Sequence, residues 1–261
     1  MTRNRRPAAK RLLLATGAAI VALSLASCAS DRNMTTGSVS RSAHTGAGMS
    51  LDQLGQAYVK DTRNGALAMR YAEALQAAGQ TDQSLAVMRK AAIDFPNDRT
   101  VLAAYGKALA AAGELEPALD AVRRAQTPEY PDWRLMSAEA AILDQLNQTN
   151  EARALYRRAL EMRPDEPSVL SNLGMSYVLE GDLKTAEIYM RKATATAGAD
   201  SRVRQNLALV VGLQGRFQEA EQIARSELSP EQAKANVSYL RSMLSQQNAW
   251  NQLEQEEKNT N

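Results

Sequence analysis

The sequence predicts an all-α solenoid of about five helical hairpins, closed by a C-terminal helix. One column of residues recurs every 34 positions, a period typical of helical-hairpin repeats, and comprises Gly79, Gly113, Asn147, Gly181 and Gly215. Two columns of small residues follow in the same register: Ser84, Ala118, Ala152, Ala186 and Ala220, then Ala91, Ala125, Ala159 and Ala193, before Glu227 ends the series. Three columns in one register predict pairs of helices that stack on their neighbours.

Each column has a physical reason. The first falls where a helix ends and the chain needs a left-handed residue, a conformation that glycine adopts freely and asparagine tolerates. The two columns of small residues are seven positions apart, so they lie on one face of the second helix of each hairpin. Their small size lets neighbouring helices approach closely.

Two neighbouring units also match the residue pattern of a known repeat family. The residues Leu173, Gly174, Tyr177, Gly181, Ala186 and Ala193 resemble the tetratricopeptide (TPR) pattern, and the preceding unit matches it with Ala152, Tyr156, Ala159 and Pro164. The resemblance implies a TPR solenoid with units at 65–98, 99–132, 133–166, 167–200 and 201–234. The two outer units are the most divergent, as expected at the ends of an array.

The N-terminus predicts a lipoprotein signal peptide over residues 1–27. Arg3, Arg5, Arg6, Lys10 and Arg11 precede an apolar run that is too short for a permanent membrane span. The run closes in Leu25-Ala26-Ser27-Cys28, which resembles the bacterial lipobox and implies diacylglycerol and acyl (palmitate) attachment at Cys28. The alternatives for this single cysteine are a reactive thiol and an intermolecular crosslink. Ala29 implies sorting to the outer membrane, facing the periplasm, if the host is a diderm bacterium.

Other segments lie at either side of the repeats. Residues 28–50 hold the lipidated cysteine and a flexible tether, because Ser, Thr, Gly and Ala cannot form a core. Residues 51–64 predict a leading helix that packs on the first unit through Leu51, Leu54, Tyr58 and Val59. Ser229 and Pro230 begin a closing helix over 229–250, which overlaps the last unit and covers it. Residues 251–261 are a polar tail.

The composition argues against an enzyme. The sole histidine, His44, lies in the tether, and no nucleotide-binding motif or Cys/His cluster with metal-ligand spacing occurs. Removing residues 1–27 takes five of the 31 basic residues, which leaves 26 against 29 acidic ones, a formal charge of −3. We therefore expect no metal, no cofactor beyond the covalent lipid, no small-molecule substrate and no nucleic acid.

The TPR resemblance implies a concave surface, lined by the first helix of each unit, that binds a protein segment. The register places on it Arg134, Asn172, Met175, Val178, Arg202, Asn206, Leu209 and Leu213. Asn172 and Asn206 are one period apart, so their amides are predicted to hold the backbone of a bound peptide. The apolar members suit an amphipathic partner. The alternative for Leu213 is packing between the two helices of its own unit.

The overall layout is more specific than TPR motifs alone. The anchor, tether, repeats and closing helix, with Arg204–Val210 and Ala235–Leu244, resemble the TadD family, lipoproteins of tight-adherence (Flp) pilus assembly. The resemblance implies a pilotin-like adaptor that binds the pilus secretin or another Tad component and supports secretin assembly. The alternative is a TPR scaffold lipoprotein of another envelope machine, such as polysaccharide export or outer-membrane protein assembly.

Overall fold

The computed structural model describes residues 49–127, 129 and 131–260, and over this part of the chain it confirms the all-α TPR fold. The leading helix is α1 (Leu51–Lys60). The paired helices are α2 (Gly65–Ala77), α3 (Thr81–Asp94), α4 (Arg99–Ala111), α5 (Leu115–Ala125), α6 (Trp133–Gln145), α7 (Thr149–Met162), α8 (Pro167–Glu180), α9 (Leu183–Ala195), α10 (Ser201–Leu213) and α11 (Phe217–Ala224). The last helix is α12 (Pro230–Thr260). Residues 1–48, with the predicted signal peptide, Cys28 and most of the tether, lie outside the described residues.

The helices stack in a regular order. Each helix packs on the next one in the chain. The first helices of the five units, α2, α4, α6, α8 and α10, also contact one another in succession, and α10 contacts α12. The odd-numbered second helices pack on first helices instead. First helices therefore lie closest together, and they line the inner side of the curved array.

The left-handed positions are confirmed. Gly79, Gly113, Gly181 and Gly215 have φ between 76° and 85°, and Asn147 has φ 65°, the one positive value at a non-glycine residue in the described part of the chain. Each follows the end of a first helix and turns the chain into the second. The backbone N–H of the next residue then bonds back into the finished helix, as Gln148 does to the Leu143 carbonyl at 2.8 Å.

The small-residue columns are buried at the junctions between helices. Their alanines are at most 2% exposed. Ser84 is equally buried and is tolerated because its hydroxyl donates to the Ala72 carbonyl at 2.8 Å. The column that begins at Ala91 ends at Glu227 because α11 stops three residues earlier, at Ala224. The Glu227 carboxylate instead accepts a hydrogen bond from Arg204.

Both ends of the array are covered by an additional helix. Leu54 of α1 is buried and Tyr58 meets Tyr71 with ring centroids 5.4 Å apart, whereas Val59 is 77% exposed and does not join this contact. At the other end α12 packs on α10 and α11, with Ala233 fully buried. Its 31 residues run ten positions beyond residue 250, through the segment expected to be a polar tail, because no Gly or Pro follows Pro230.

None of the described helices combines the length and the apolar character that a crossing of the bilayer requires.

Candidate functional site

The predicted groove residues lie on the first helices of units three to five. Arg134 and Arg202 are exposed, and the other six, Asn172, Met175, Val178, Asn206, Leu209 and Leu213, are half-buried. All eight are on α6, α8 or α10, the helices that line the inner side of the array. The eight residues thus lie on the predicted helices, and the binding surface that they form stays a prediction.

The two asparagines take part in a ladder between neighbouring units. Asn172 Nδ2 donates to Ser137 Oγ at 3.2 Å, and Asn206 Nδ2 donates to Ser171 Oγ at 3.1 Å. Each amide thus donates one N–H to the preceding unit, while its Oδ1 accepts no hydrogen bond from the described residues. The pair stabilises the stacking of first helices and leaves one acceptor at each position for a ligand.

The apolar residues have two different surroundings. Met175 and Val178 pack at the edge of the core shared by units four and five, which includes Met190, Leu207 and Val211. Leu213 lines a cleft of about 400 Å³ where α12 crosses the last unit, together with Phe217, Arg241 and Leu244. Leu213 therefore lies next to α12, a contact that its position in the repeat does not predict.

A buried polar network joins units three and four beside this face. Ser176 donates to Asp144 Oδ1 at 2.8 Å, and Arg153 Nε donates to the Ser176 hydroxyl at 3.2 Å. The Arg153 guanidinium stacks on Tyr177 at 4.6 Å and forms an ion pair of 2.6 Å with Glu180. Its side chain is 8% exposed, and Nη2 is buried without a partner in the described residues.

The network changes the acidity of its buried members. Burial raises the pKa of Asp144 from its ordinary 3.8 to about 6, although hydrogen bonds from Ser176 and Tyr156 and the charge of Arg153 oppose the rise. Burial, followed by the nearby charge of Asp144, raises the pKa of the Tyr156 hydroxyl well above its ordinary value. Burial therefore disfavours the charged form of Asp144, although a pKa of about 6 still leaves the carboxyl ionised at neutral pH.

A second polar cluster, on the second helices of units four and five, behaves in the opposite way. Burial raises the pKa of Glu187, but hydrogen bonds from Gln214, Arg216 and Arg191 and the charge of Arg191 lower it to about 2. Arg191 and Arg216 also hold Glu219, at 2.6 Å and 2.5 Å. These ion pairs join units four and five.

Sequence reasoning missed the buried network, although one signal was present. Position 153 is equivalent, at the 34-residue period, to Leu85 and Leu119, both of which are buried. A cation where two other units have leucine indicates a buried charge with a partner. The partner itself was harder to find, since an aspartate within a helix gives no sign in the sequence that it is buried.

The described residues contain no group of three or more His, Cys, Asp or Glu side chains placed to bind a metal ion. The perturbed carboxyl of Asp144 is only 8% exposed and is surrounded by structural partners, which fits a role in packing rather than in chemistry.

Comparisons with known proteins agree with the fold. The tetratricopeptide repeat family matches residues 70–132 and 137–202. No curated protein matches the chain. A tetratricopeptide repeat protein from Parabacteroides merdae is similar with 14% identity and a TM-score of 0.64, over 73% of this chain and 76% of that one.

Two further solved structures share the same arrangement. A thermophilic TPR protein of Thermus thermophilus has 20% identity and a TM-score of 0.60 over 67% of this chain and 98% of its own. PilW, described as a widely conserved type IV pilus biogenesis factor, has 20% identity and a TM-score of 0.56 over 74% and 88%. The helix pairs, the left-handed column and the family match together show that the chain has an all-α tetratricopeptide repeat fold.

Proposed function

We propose that this chain is an adaptor that binds a segment of the pilus secretin or another Tad component and thereby assists Flp pilus biogenesis. The observation that carries the proposal is the inner face of units three to five. There, the Oδ1 atoms of Asn172 and Asn206 accept no hydrogen bond from the described residues, and they lie on the same helices as half-buried Val178 and Leu209 and exposed Arg202. Such a surface suits an amphipathic peptide, which needs apolar contact and backbone hydrogen bonds at once.

The anchor determines where the adaptor works. Lipidation at Cys28 would hold the solenoid at the periplasmic side of the outer membrane, on the tether of residues 28–50. Confining the groove to a thin layer raises the effective concentration of a bound partner near the membrane in which a secretin assembles. The fold is compatible with this role, since PilW, a pilus biogenesis factor by its description, has the same fold.

The proposal is tested by the amount of heat-resistant secretin multimer in outer membranes of cells that lack this protein. Complementation with the intact chain restores multimers, whereas Cys28→Ser leaves a folded protein that binds but does not deliver. A groove variant, Arg202→Glu with Leu209→Ser, also fails, although it stays anchored. Arg202 is suitable because its side chain is 71% exposed and its loss opens no cavity.

The asparagines are poorer choices for that experiment. Replacing Asn172 or Asn206 removes a contact with Ser137 or Ser171 as well as a ligand acceptor, so lost stacking and lost binding are not separated. Unchanged multimers in the absence of the protein would refute the pilotin-like role. They would favour instead a scaffold for polysaccharide export or outer-membrane protein assembly.

A further inference from the structure

Arginine occupies the same place in all five units, in the second half of the second helix or directly after it. The column comprises Arg89, Arg123, Arg157, Arg191 and Arg225, at the 34-residue period. Four of these arginines form an ion pair: Arg89 with Glu114 at 3.0 Å, Arg123 with Glu139 at 2.8 Å, Arg191 with Glu219 at 2.6 Å, and Arg225 with Glu221 at 2.5 Å.

Arg157 is the exception. Its Nη2 donates to the Tyr177 hydroxyl at 3.1 Å, and it has no ion pair with any described residue. A phenol does not neutralise a guanidinium, which prefers the two oxygens of a carboxylate. The third unit therefore has an exposed cation at a position where the other four units supply a carboxylate.

This arginine lines a cleft on the side of the array formed by second helices. The cleft has a volume of about 320 Å³, lies between α7 and α9, and is floored by Leu170 and Leu173 of α8. Leu160 and Tyr189 form its apolar walls, and Tyr189 is held by stacking on Tyr177, with centroids 5.6 Å apart. A cleft of this size lies at the lower end of the range of ligand sites.

The charges at the rim define what the cleft accepts. Lys192 also lines it and is weakly paired, with Nζ 3.4 Å from Asp165 Oδ1 and a side chain 53% exposed. Glu161 is on the same rim but forms no ion pair with Arg157. Asp165 pairs with Lys192, so Arg157 is the rim cation that has no carboxylate partner among the described residues. Beside the apolar floor, it favours a segment that carries an apolar side chain next to a carboxylate.

The C-terminal end of this chain has that chemistry. α12 packs on α10 and α11, and Ser245 is the last of its residues that line the cleft formed with the last unit. The 15 further residues of the helix, to Thr260, extend about 22 Å beyond that cleft. Their sequence includes Leu253-Glu254-Gln255-Glu256-Glu257, and acidic residues near a helix C-terminus are disfavoured by the helix dipole.

We propose that residues 253–257 of one copy dock in the Arg157 cleft of a second copy. Leu253 supplies the apolar group and the neighbouring glutamates supply the carboxylate that Arg157 lacks. α12 packs at the end of the array and the cleft lies between units three and four, so the two meet between copies. Because the two surfaces differ, the contact is heterologous and joins copies head to tail.

Sedimentation velocity tests this with the mature chain carrying Cys28→Ser, which has no lipid, from micromolar to submillimolar concentration. The expected result is a sedimentation coefficient that rises with concentration and a rise that is lost in Arg157→Gln. Arg158→Gln is the matched control, since it removes the same charge from the next residue, which does not line the cleft. The triple change Glu254→Gln, Glu256→Gln and Glu257→Gln has the same effect as Arg157→Gln.

A labelled peptide of residues 248–261 measures the same contact directly by fluorescence anisotropy. We expect the parent protein and Arg158→Gln to bind it equally, and Arg157→Gln to bind about tenfold more weakly, as loss of one charge-assisted pair implies. A chain that stays monomeric and leaves the peptide free overturns the proposal, as does equal behaviour of the two arginine variants. Neither experiment contains a pilus component, so the result is independent of the proposed function.

Discussion

Replacing Asp144 by asparagine should change how the stability of this protein depends on pH. The pKa of Asp144 is raised from 3.8 to about 6, so the folded state binds a proton more tightly than the unfolded state. Its contribution therefore increases stability as pH falls and is lost as pH rises through 6. Over the full shift the ionised carboxylate is disfavoured by about 3 kcal/mol, at 1.36 kcal/mol per pKa unit.

The window between pH 7 and pH 5 isolates this group. The same linkage relation gives a gain of about 1.3 kcal/mol in the free energy of unfolding from Asp144 over that interval. Glu187 acts in the opposite direction, because its pKa is lowered from 4.5 to about 2. The stability that ionised Glu187 contributes to the fold is lost mainly as pH falls below 4.5, outside this window.

Urea unfolding followed by circular dichroism at pH 7 and pH 5 measures the effect. The parent protein should gain about 1.3 kcal/mol more than Asp144→Asn between the two pH values. Asp82→Asn, a change at an exposed aspartate on α3, is the control and should behave like the parent. An equal pH dependence in the parent and Asp144→Asn would refute the view that Asp144 is held ionised against its environment at neutral pH.

Two further substitutions test the packing and the backbone, and both can be followed as melting temperatures. Gly106→Ala should destabilise by about 1–3 kcal/mol through overpacking, because its Cβ would lie 2.5 Å from Val122 Cγ2 and 3.2 Å from the Ala118 carbonyl oxygen; an unchanged melting temperature would contradict that contact. Asn147→Val should cost about 1–2 kcal/mol, because φ at this position is 65°, whereas Asn147→Gly should cost nothing. Equal melting temperatures for the two Asn147 variants would contradict the left-handed requirement.

The sequence predicted the features that repeat, because each repeats for a local reason. The turn between two helices requires Gly181 and its equivalents, and the short distance between helices requires Ala152 and Ala186. The residue type at each position therefore shows the constraint directly. The exception at Ser84 needed the structure, which supplies the Ala72 carbonyl as its partner. A hydroxyl buried with its acceptor looks the same in the sequence as one in solvent.

Contacts between units were much harder to predict. The register placed Asn172 and Asn206 on the inner face, but their bonds to Ser137 and Ser171 depend on how one unit rotates on the next. The pairing of Arg153 with Glu180 and its stacking on Tyr177 have the same dependence. These contacts depend on how neighbouring units pack together, and the spacing of residues in a single sequence does not predict that packing.

The most direct test of the central claim is photocrosslinking in cells that assemble Flp pili. A photoreactive amino acid replaces Leu209 on the inner face, and in a control protein it replaces Ile93, which is 73% exposed on α3. We predict a discrete adduct with the secretin or another Tad component from position 209 and none from position 93. No adduct at 209, or the same adducts at both positions, would contradict the claim that the inner face binds a pilus component.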